Sequence, residues 1–417
     1  MNDSLQSMQT EVCIAGGGPA GMMLGLLLAR AGINVVVLEK HADFLRDFRG
    51  DTIHPSTLDV MHELGLLDAF LRLPHQEVSQ IAGNVSGTRI PIADFTHLAT
   101  RCRFIAMIPQ WDFLDFLAAE ASRYAHFKLR MRAQVTGLIE TAGRMAGVIA
   151  ATPEGPLEVH AGLTIGADGR GSTVREKAAL AVEELGTPID VLWFRLARGP
   201  GDPDDTAGYF GPGHMFVMIN RSDYWQCAYV ISKGGFEAIR AQGLPAFRAG
   251  VAQLAPFAAE AATQLHDWDA VSLLTVRVDR LTHWHRPGLL CIGDAAHAMS
   301  PVGGVGINLA IQDAVAAANL LAAPLRAHRV TEDDLKQVQK RRQLPTRLTQ
   351  WFQVMVQNRV IASVLAGTGL GSSSVLPLPL RLLGRYPILR RIPARLIGVG
   401  VRPEHVRSPA VTRAPAP

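Results

Sequence analysis

Three glycines at fixed spacing are the residues whose types point most directly to chemistry. Gly16, Gly18 and Gly21 lie between the apolar run Val12–Ala15 and a helical run that ends at Gly32. The first glycine permits a tight turn, the second lets a pyrophosphate approach the main chain, and the third lets helix and strand pack closely. The helix N-terminus then favours an anion. The spacing predicts a dinucleotide site whose phosphate loop contains Gly16, Gly18, Pro19, Ala20 and Gly21.

A carboxylate follows the next apolar run. Asn34–Leu38 is predicted to be a strand, and Glu39 comes directly after it, eighteen residues beyond Gly21. A carboxylate at this place accepts a hydrogen bond from a ribose hydroxyl. We assign Glu39, with its neighbour Lys40, to the dinucleotide site. A βαβ unit whose glycines serve packing alone would leave this carboxylate unexplained.

Two further apolar runs end in glycine and aspartate. One leads into Asp168 and Gly169, and the other leads into Gly293 and Asp294. The second continues through a glycine-rich loop at Pro301–Gly306 into a long apolar helical run. An aspartate at a strand end can bind a sugar or ribityl hydroxyl, and bare glycine backbone lets a planar ring lie against it. The following helix points its positive end at an anion formed on that ring.

The three motifs, in this order, resemble the class A flavoprotein monooxygenases typified by para-hydroxybenzoate hydroxylase. The resemblance covers about residues 10–320 and implies an α/β fold: a Rossmann-like FAD-binding domain of the GR2 or para-hydroxybenzoate hydroxylase type, an inserted β-rich substrate domain and a helical C-terminal segment. We expect residues 10–72, 101–180 and 280–330 in the discontinuous FAD-binding domain, 73–100 and 181–279 in the β-rich domain, and 331–417 in the basic C-terminal region.

The resemblance also implies roles for individual residues. Asp168 and Gly169 would support both FAD and NAD(P)H, although an Asp-Gly pair can equally cap a turn. Gln110 and Arg49 would contact the FAD phosphates, with Arg46 as a competitor for the second role. The ribityl and isoalloxazine groups would contact Gly293, Asp294, Pro301, Gly303, Gly304, Val305, Gly306, Ile307 and Asn308. Val305 departs from the family, in which many members carry Gln.

The implied reaction uses NAD(P)H to reduce FAD and O2 to form a flavin C4a-hydroperoxide, which hydroxylates an aromatic or lipophilic substrate of the phenol or quinone kind. The alternatives are a related FAD-dependent reductase or halogenase, a non-enzymatic relative that binds partner proteins, and an ordinary NAD dehydrogenase. A dehydrogenase would leave the Gly293–Asn308 motif without a purpose. The halogenase signature Trp-x-Trp-x-Ile-Pro is absent from the sequence.

The β-rich insert should supply the substrate side of the site. Two runs, His214–Ile219 and Tyr224–Ile231, flank a short connection and predict a hairpin. Side chains alternate between the faces of a strand. The candidate substrate-orienting, catalytic residues are His54, His214, Tyr224 and Gln226. An aromatic strand of this kind is also typical of a protein core.

Composition and charge limit the remaining possibilities. The sequence is 48% apolar, its four cysteines lie far apart, and its polar start lacks the features of a secretion signal. We therefore expect a cytoplasmic protein with reduced thiols, no metal site and no membrane-spanning helix. Residues 335–417 carry fourteen Lys and Arg against one acid, so this region is +13 and the rest is −9. Its arginines fit a packed segment or a peripheral membrane contact, whereas its prolines and leucines argue against nucleic acid.

Overall fold

The computed structural model describes residues 6–45, 51–85, 87–204, 206–211, 213–368 and 378–411. In chain order the strands are β1 (Gln6–Ala15), β2 (Val35–Leu38), β3 (Thr52–Ile53), β4 (Gln76–Val78), β5 (Gln80–Val85), β6 (Thr88–Asp94), β7 (Ile105–Met107), β8 (Phe127–Arg130), β9 (Gln134–Thr141), β10 (Arg144–Thr152), β11 (Gly155–Gly166), β12 (Val182–Glu184), β13 (Ile189–Ala197), β14 (Ala207–Gly211), β15 (His214–Asn220), β16 (Tyr224–Ser232), β17 (Ser272–Leu274), β18 (Asp279–Leu281), β19 (His285–Arg286) and β20 (Leu289–Cys291). The helices are α1 (Pro19–Arg30), α2 (Pro55–Glu63), α3 (Leu67–Phe70), α4 (Gln110–Ser122), α5 (Thr173–Lys177), α6 (Phe236–Gln242), α7 (Leu244–Leu254), α8 (Ala259–Ala262), α9 (Gly306–Arg326), α10 (Glu332–Val356), α11 (Ala362–Leu365), α12 (Leu378–Arg385) and α13 (Arg391–Gly398).

The first sheet joins segments that are far apart in the chain. Five strands run parallel in the order β20-β11-β1-β2-β8, and β19 pairs antiparallel with β20 at one edge. β10 and β9 extend β11 as an antiparallel pair. Ligands of open α/β sheets bind beyond the carboxyl ends of the parallel strands. All three glycine motifs therefore reach the same edge, because they follow β1, β11 and β20.

The second sheet comes from the β-rich segments. Its order is β17-β13-β16-β15-β14-β5-β6, and its strands are antiparallel except for the β14–β5 pair. One face packs against α7 and its neighbours through an aromatic core. The opposite face packs against the glycine-rich loop and the end of α10. Smaller pairings join β3, β7 and β4, and β12 with β18.

Helices cover the first sheet, and the C-terminal region belongs to this packing. α1 packs against α4 and α9, and α10 packs along α9. After α13 the chain returns to α1, where the Val411 N–H donates to the Arg30 carbonyl at 2.8 Å and Arg30 Nη1 donates to the Ser408 carbonyl at 3.0 Å. One described stretch, Val302–Arg326, has the length and hydropathy of a membrane span, but 83% of its most apolar window is buried inside the fold. This stretch contains the central core helix.

The mixed α/β class predicted from the sequence is confirmed, and most differences concern element ends. Apolar residues at helical spacing predict a helix at Pro55–Leu66, but α2 ends at Glu63 and a short α3 follows it. The sequence also predicts a long helix at Glu332–Val364, which contains a π-helical turn at Gln357–Ile361. It predicts a helical interval at Phe236–Gln264, which consists of α6, α7, α8 and a single 3₁₀ turn. The domain boundaries stay a prediction.

Candidate active site

The phosphate loop joins β1 to α1 and has room above its second glycine. Gly16 has φ +104°, and a Cβ there would lie 2.4 Å from the Ala167 carbonyl oxygen, so only glycine fits. A Cβ on Gly18 would meet no atom within 4 Å, whereas one on Gly21 would lie 2.0 Å from the Gly16 oxygen. Pro19 begins α1. Neighbouring backbone therefore leaves no room for a side chain at Gly16 and Gly21, whereas Gly18 is open, at the position where a pyrophosphate is expected to approach.

Glu39 stands at the end of β2 and faces this loop. Its buried carboxylate accepts a hydrogen bond from the Gly17 N–H at 2.9 Å and another from the His41 N–H at 3.0 Å. Lys40, the next residue, is exposed. The carboxylate thus ties the phosphate loop to the strand end on which a ribose would lie.

The second motif packs directly on the phosphate loop, since Gly16 touches the backbone of Ala167 and Asp168. Asp168 Oδ1 accepts from the Ser172 hydroxyl at 2.5 Å, and Oδ2 accepts from the Val174 N–H at 3.1 Å. Burial raises the pKa of Asp168, and these hydrogen bonds oppose the rise. The carboxylate therefore organises the start of α5, as expected of a turn-capping aspartate.

The third motif meets both of the others. Arg170, which follows Asp168, donates from Nε to Asp294 Oδ2 at 3.1 Å. Gly293 has φ +58°, and a Cβ there would lie 3.0 Å from the Ala20 Cβ on α1. Three segments separated by more than a hundred residues each thus converge on one edge of the first sheet.

The glycine loop (Pro301–Gly306) precedes α9 and exposes main chain. Gly303 and Gly304 have φ of +79° and +63°, and a Cβ on Gly304 would lie 2.6 Å from Thr52 Oγ1. The Thr52 hydroxyl donates to the Gly304 carbonyl at 2.8 Å. Beyond the loop, Asn308 Oδ1 accepts from the hydroxyls of two residues of α2, Ser56 and Thr57, at 2.8 and 2.7 Å. β3 and α2 therefore fix the loop from one side. Val305, the departure noted above, is buried, as is Ile307.

His54 is fully buried behind the glycine loop. Its ring nitrogens lie 2.8 Å from the Ile397 carbonyl and 3.1 Å from the Gly304 carbonyl. Burial lowers its pKa to about 4, against the opposing effect of the two carbonyls. We predicted that His54 orients the substrate; in the structure both ring nitrogens face backbone carbonyls, so the imidazole contacts the loop and α13.

His214 lies on the wrong face of the second sheet for the role predicted for it. Its Nδ1 is 2.6 Å from the Tyr229 hydroxyl, and the Tyr229 ring packs on Phe247 of α7 with centroids 5.2 Å apart. The opposite face carries Met215 and Val217, which pack in one cluster with residues of the glycine loop. Alternation along β15 separates the two faces, and the helices cover the face that includes His214.

Tyr224 and Gln226 lie on the other face of β16. The Arg195 guanidinium lies 5.0 Å from the Tyr224 ring centroid. Gln226 is buried, and its Oε1 accepts from Arg221 Nε at 3.1 Å. These two residues remain candidates for contact with substrate.

A buried ion pair that we did not predict links the β15–β16 connection to the residue before β3. Arg221 contacts the Asp51 carboxylate, and both side chains are almost fully buried. Asp51 Oδ1 also accepts from the Gln110 N–H at the start of α4, at 3.3 Å. Burial raises the pKa of Asp51, and Arg221 opposes that rise. The sequence signal was only an arginine inside a hairpin connection, 170 positions from its partner.

A second buried network lies beneath the third motif. Asp313 on α9 accepts from the Gly293 N–H at 3.1 Å, from His297 Nε2 at 2.5 Å and from Arg342 Nε at 2.9 Å. Burial would raise the pKa of Asp313, but His297 and Arg342 outweigh it, so the pKa lies below its usual value. His297 is thus held within this buried network.

The structure also bears on several remaining arginines, on the cysteines and on possible metal ligands. Arg46 and Arg49 lie outside the described residues. Arg175 forms a buried pair with Asp279 at 3.1 Å. The four cysteines are free and buried. Within the described ranges no group of three or more His, Cys, Asp or Glu side chains could hold a metal ion.

Comparison with known proteins shows the family to which this chain belongs. A family model described as an FAD binding domain matches residues 9–352. A 6-methylpretetramide 4-monooxygenase of Streptomyces rimosus is 33% identical over 403 residues, which are 96% of this chain and 94% of that protein. The chain belongs to the class A FAD-dependent monooxygenases. Its cofactor is FAD, and the reductase, halogenase and non-enzymatic alternatives are not favoured.

Two more relatives place this monooxygenase within the family. The 12-dehydrotetracycline 5-monooxygenase/anhydrotetracycline 6-monooxygenase of Streptomyces rimosus is 28% identical over 320 residues, and the match covers 74% of this chain but only 61% of that protein. The solved structure of OxyS anhydrotetracycline hydroxylase from Streptomyces rimosus superposes with a TM-score of 0.72 at 25% identity. That superposition covers 98% of this chain and 78% of the other. The shared fold includes the converging motifs described above.

The residues present fit FAD. The open space above Gly18 suits a pyrophosphate, Glu39 and Asp294 are acidic groups at strand ends, and the positive-φ glycines of the glycine loop offer bare backbone. When bound, FAD accepts hydride from the nicotinamide and supports transfer of one oxygen atom from O2; use of NAD(P)H is usual in this family. The protein itself binds, orients and dehydrates the reactants.

Proposed function

We propose that this monooxygenase hydroxylates a fused-ring phenol of the kind named for its tetracycline-type relatives. The observation that carries the proposal is the 33% identity with the 6-methylpretetramide 4-monooxygenase, which extends over nearly the whole of both chains. The monooxygenase match therefore includes the β-rich segments that are expected to hold the substrate, beyond the cofactor motifs. Both tetracycline-type relatives reported above are named monooxygenases, whereas the fused-ring substrate is our inference.

The second sheet supports an apolar, ring-shaped substrate. The face toward the glycine loop carries Trp193, Met215, Val217, Ala228 and Val230, which pack in one cluster with Val302 of that loop. A large apolar surface of this kind binds aromatic rings by burial and excludes water from the reaction. Hydrogen bonds from a few polar groups must then orient the phenol.

We assign that orientation to Gln226, with Tyr224 as a second candidate on the same face. Gln226 bonds to Arg221, Arg221 pairs with Asp51, and the neighbouring Thr52 bonds to the Gly304 carbonyl of the glycine loop. This chain of contacts fixes the Gln226 amide close to the place proposed for the flavin ring. A buried amide is able both to donate to and to accept from a phenol.

We propose the following division of the cofactor site. The phosphates bind the loop from Gly16 to Gly21 and the α4 N-terminus at Gln110, the ribose binds Glu39, and the ribityl chain binds Asp294. Asp168 with Gly169 holds the second motif against the phosphate loop. The isoalloxazine lies on the glycine loop, where the α9 N-terminus stabilises negative charge on the ring.

The experiment compares fused-ring phenols with simple phenols as stimulators of NAD(P)H oxidation by the purified yellow protein. We expect the fused-ring phenols to stimulate oxidation more strongly and to give a product heavier by one oxygen atom. Stimulation by simple phenols alone would overturn the substrate class. The variant Asp294→Ala should lose bound FAD, whereas the control Asp333→Ala on exposed α10 surface should keep it; equal FAD content would overturn the cofactor assignment.

We further propose a peripheral contact between α12 and an anionic membrane. Three apolar side chains in and after α12 are exposed, namely Leu378 (64%), Leu382 (38%) and Ile388 (63%), and they lie near Arg381 and Arg385 in the sequence. The next helix, α13, packs against the protein instead. Exposed leucines next to arginines favour an anionic lipid surface. Co-sedimentation with phosphatidylglycerol vesicles should exceed that with phosphatidylcholine and should fall in Leu382→Asp. Equal sedimentation with both, or a dimer in solution that covers the patch, would refute it.

A further inference from the structure

The buried face of α10 and of the turn that follows it carries four glutamines beside a few apolar side chains, whereas such a face is usually apolar throughout. Gln339, Gln350, Gln353 and Gln357 are at most 8% exposed, and Arg342 lies on the same face. Successive residues of this set lie three, four or eight positions apart, and residues at such spacings share one face of a helix. Burial of a primary amide is unfavourable unless hydrogen bonds compensate it. The bonds these residues make should therefore matter to the fold or to the reaction.

These glutamines bind residues 279–302, the stretch that contains the third motif: three of them bind its main chain, and Gln357 binds a side-chain hydroxyl. Gln339 accepts from the Trp284 N–H at 3.0 Å and donates to the Thr282 carbonyl at 2.9 Å. Gln350 donates to the carbonyls of Asp279 and Ala298 at 2.7 and 3.1 Å. The helix α10 thus fixes the main chain that leads from β18 to the glycine loop at several points.

The last two glutamines act at the loop itself. Gln353 accepts from the Ser300 N–H at 3.2 Å and donates to the carbonyls of Ser300 and Val302 at 2.9 and 2.8 Å. Gln357 donates to the Ser300 hydroxyl at 2.7 Å, and this hydroxyl in turn accepts from the Val302 N–H at 3.1 Å. A side-chain amide therefore satisfies three backbone groups that no neighbouring strand pairs.

The helix changes its winding at this contact. A π-helical turn covers Gln357–Ile361, and Ile361 packs in the cluster that contains Val302 and the apolar face of the second sheet. A π-helical turn is less favourable than α-helix and is frequent at functional sites. Here it lets consecutive turns of one helix reach the glycine loop and the substrate-facing sheet.

We propose that Gln353 and Gln357 are positioning residues for the flavin. Their hydrogen bonds fix the position of the backbone at Ser300–Val302, and this backbone in turn fixes the position of the isoalloxazine relative to the substrate. The inference rests on the proposed placement of the ring on the glycine loop. It assigns to the C-terminal helix a part in coupling NAD(P)H oxidation to hydroxylation. A misplaced ring would still be reduced, but oxygen transfer to the substrate would fail and H2O2 would be released.

The test uses the full-length variants Gln353→Met and Gln357→Met, which keep side-chain length. Gln337→Met, exposed on the same helix, is the matched control. In the apoprotein we expect amide hydrogen exchange of the peptide 298–306 to accelerate about ten-fold in Gln353→Met, because the Ser300 N–H loses its acceptor. In the holoenzyme we expect a shifted flavin absorption spectrum, about a ten-fold higher FAD dissociation constant and a several-fold lower yield of product per NAD(P)H.

The outcomes separate this inference from the proposed function. Exchange, spectrum and yield equal to those of Gln337→Met would overturn the positioning role while leaving the cofactor assignment intact. Exchange that accelerates equally in β1 and α1 would show general destabilisation and would also overturn it. A wild-type protein that does not bind FAD would instead refute the cofactor assignment itself.

Discussion

Arg342→Met is the substitution that should disturb the buried charges most directly. The guanidinium donates to Asp313 at 2.9 Å and lies 3.5 Å from Glu404, which also forms a two-point pair with Arg341. Both carboxylates are at most 5% exposed in their side chains, so methionine would leave Asp313 buried without its guanidinium partner. Removal of one partner of a buried pair costs about 3–5 kcal/mol.

The expected change in melting temperature follows from chain length. An unfolding entropy of about 2.1 cal/mol/K per residue over 417 residues gives about 0.9 kcal/mol/K, if the chain melts as one unit. A loss of about 4 kcal/mol should then lower Tm by about 4–5 °C. Thermal melting followed by circular dichroism measures this shift, with exposed Arg347→Met on the same helix as the control. The double variant Asp313→Asn, Arg342→Met should recover part of the loss, because no unpaired carboxylate remains at that place.

The pH dependence gives an independent check. Because the folded-state pKa of Asp313 is lowered, its contribution to stability is present above the unfolded pKa of about 3.9 and is lost as pH falls through the folded value. Removal of Arg342 should raise that folded pKa, so acid unfolding should begin at a higher pH than in the wild type. A Tm within a degree of the control, with an unchanged acid limb, would refute the role assigned to this network.

Three further substitutions test the site. Gly304→Ala would place a Cβ 2.6 Å from Thr52 Oγ1 at φ +63°, and flavin fluorescence titration should show weaker FAD binding by at least about ten-fold; unchanged affinity would contradict the assigned loop geometry. In the wild type, stability should fall by about 3 kcal/mol between pH 6.5 and 4, because His54 stays neutral in the fold, with a pKa of about 4, while it is protonated in the unfolded chain. His54→Gln should abolish this pH-dependent fall. Urea unfolding at both pH values measures it, and identical pH profiles for wild type and variant would contradict it. Arg221→Met should lower stability by about 3 kcal/mol by leaving Asp51 buried without its cation, and a melting curve equal to that of the wild type would exclude the Arg221–Asp51 pair as a stabilising contact.

The cofactor side was predictable because each of its signals is local. Gly16, Asp168 and Gly293 each follow an apolar run, and parallel strands bring their carboxyl ends to one edge. No long-range information was needed beyond the order of the motifs. The contacts among them, such as Arg170 with Asp294, were not predictable, because 124 residues separate the two.

The substrate side was harder for a physical reason. Alternation along β15 divides its side chains into two sets, but it does not say which set faces the cofactor domain. α7 covers the set with His214, and only the tertiary packing shows this. The glutamines of α10 did carry a signal, since Gln350, Gln353 and Gln357 repeat at helical spacing. A face rich in amides indicates a helix that binds backbone.

Several arginines of the basic C-terminal region form hydrogen bonds and ion pairs within the fold. Arg341 and Arg342 pair with Glu404, the single acid of residues 335–417, and Arg390 donates to the carbonyls of Leu383 and Gly384 at 2.8 and 2.9 Å. Several of the cations thus hold loops and tail residues in place against the acidic body. The same helix supplies the amides that hold the glycine loop. The helix α10 therefore lies behind the glycine loop on which we propose that the flavin ring lies. Substitutions in α10 should change the reaction even though none of its residues belongs to the cofactor motifs.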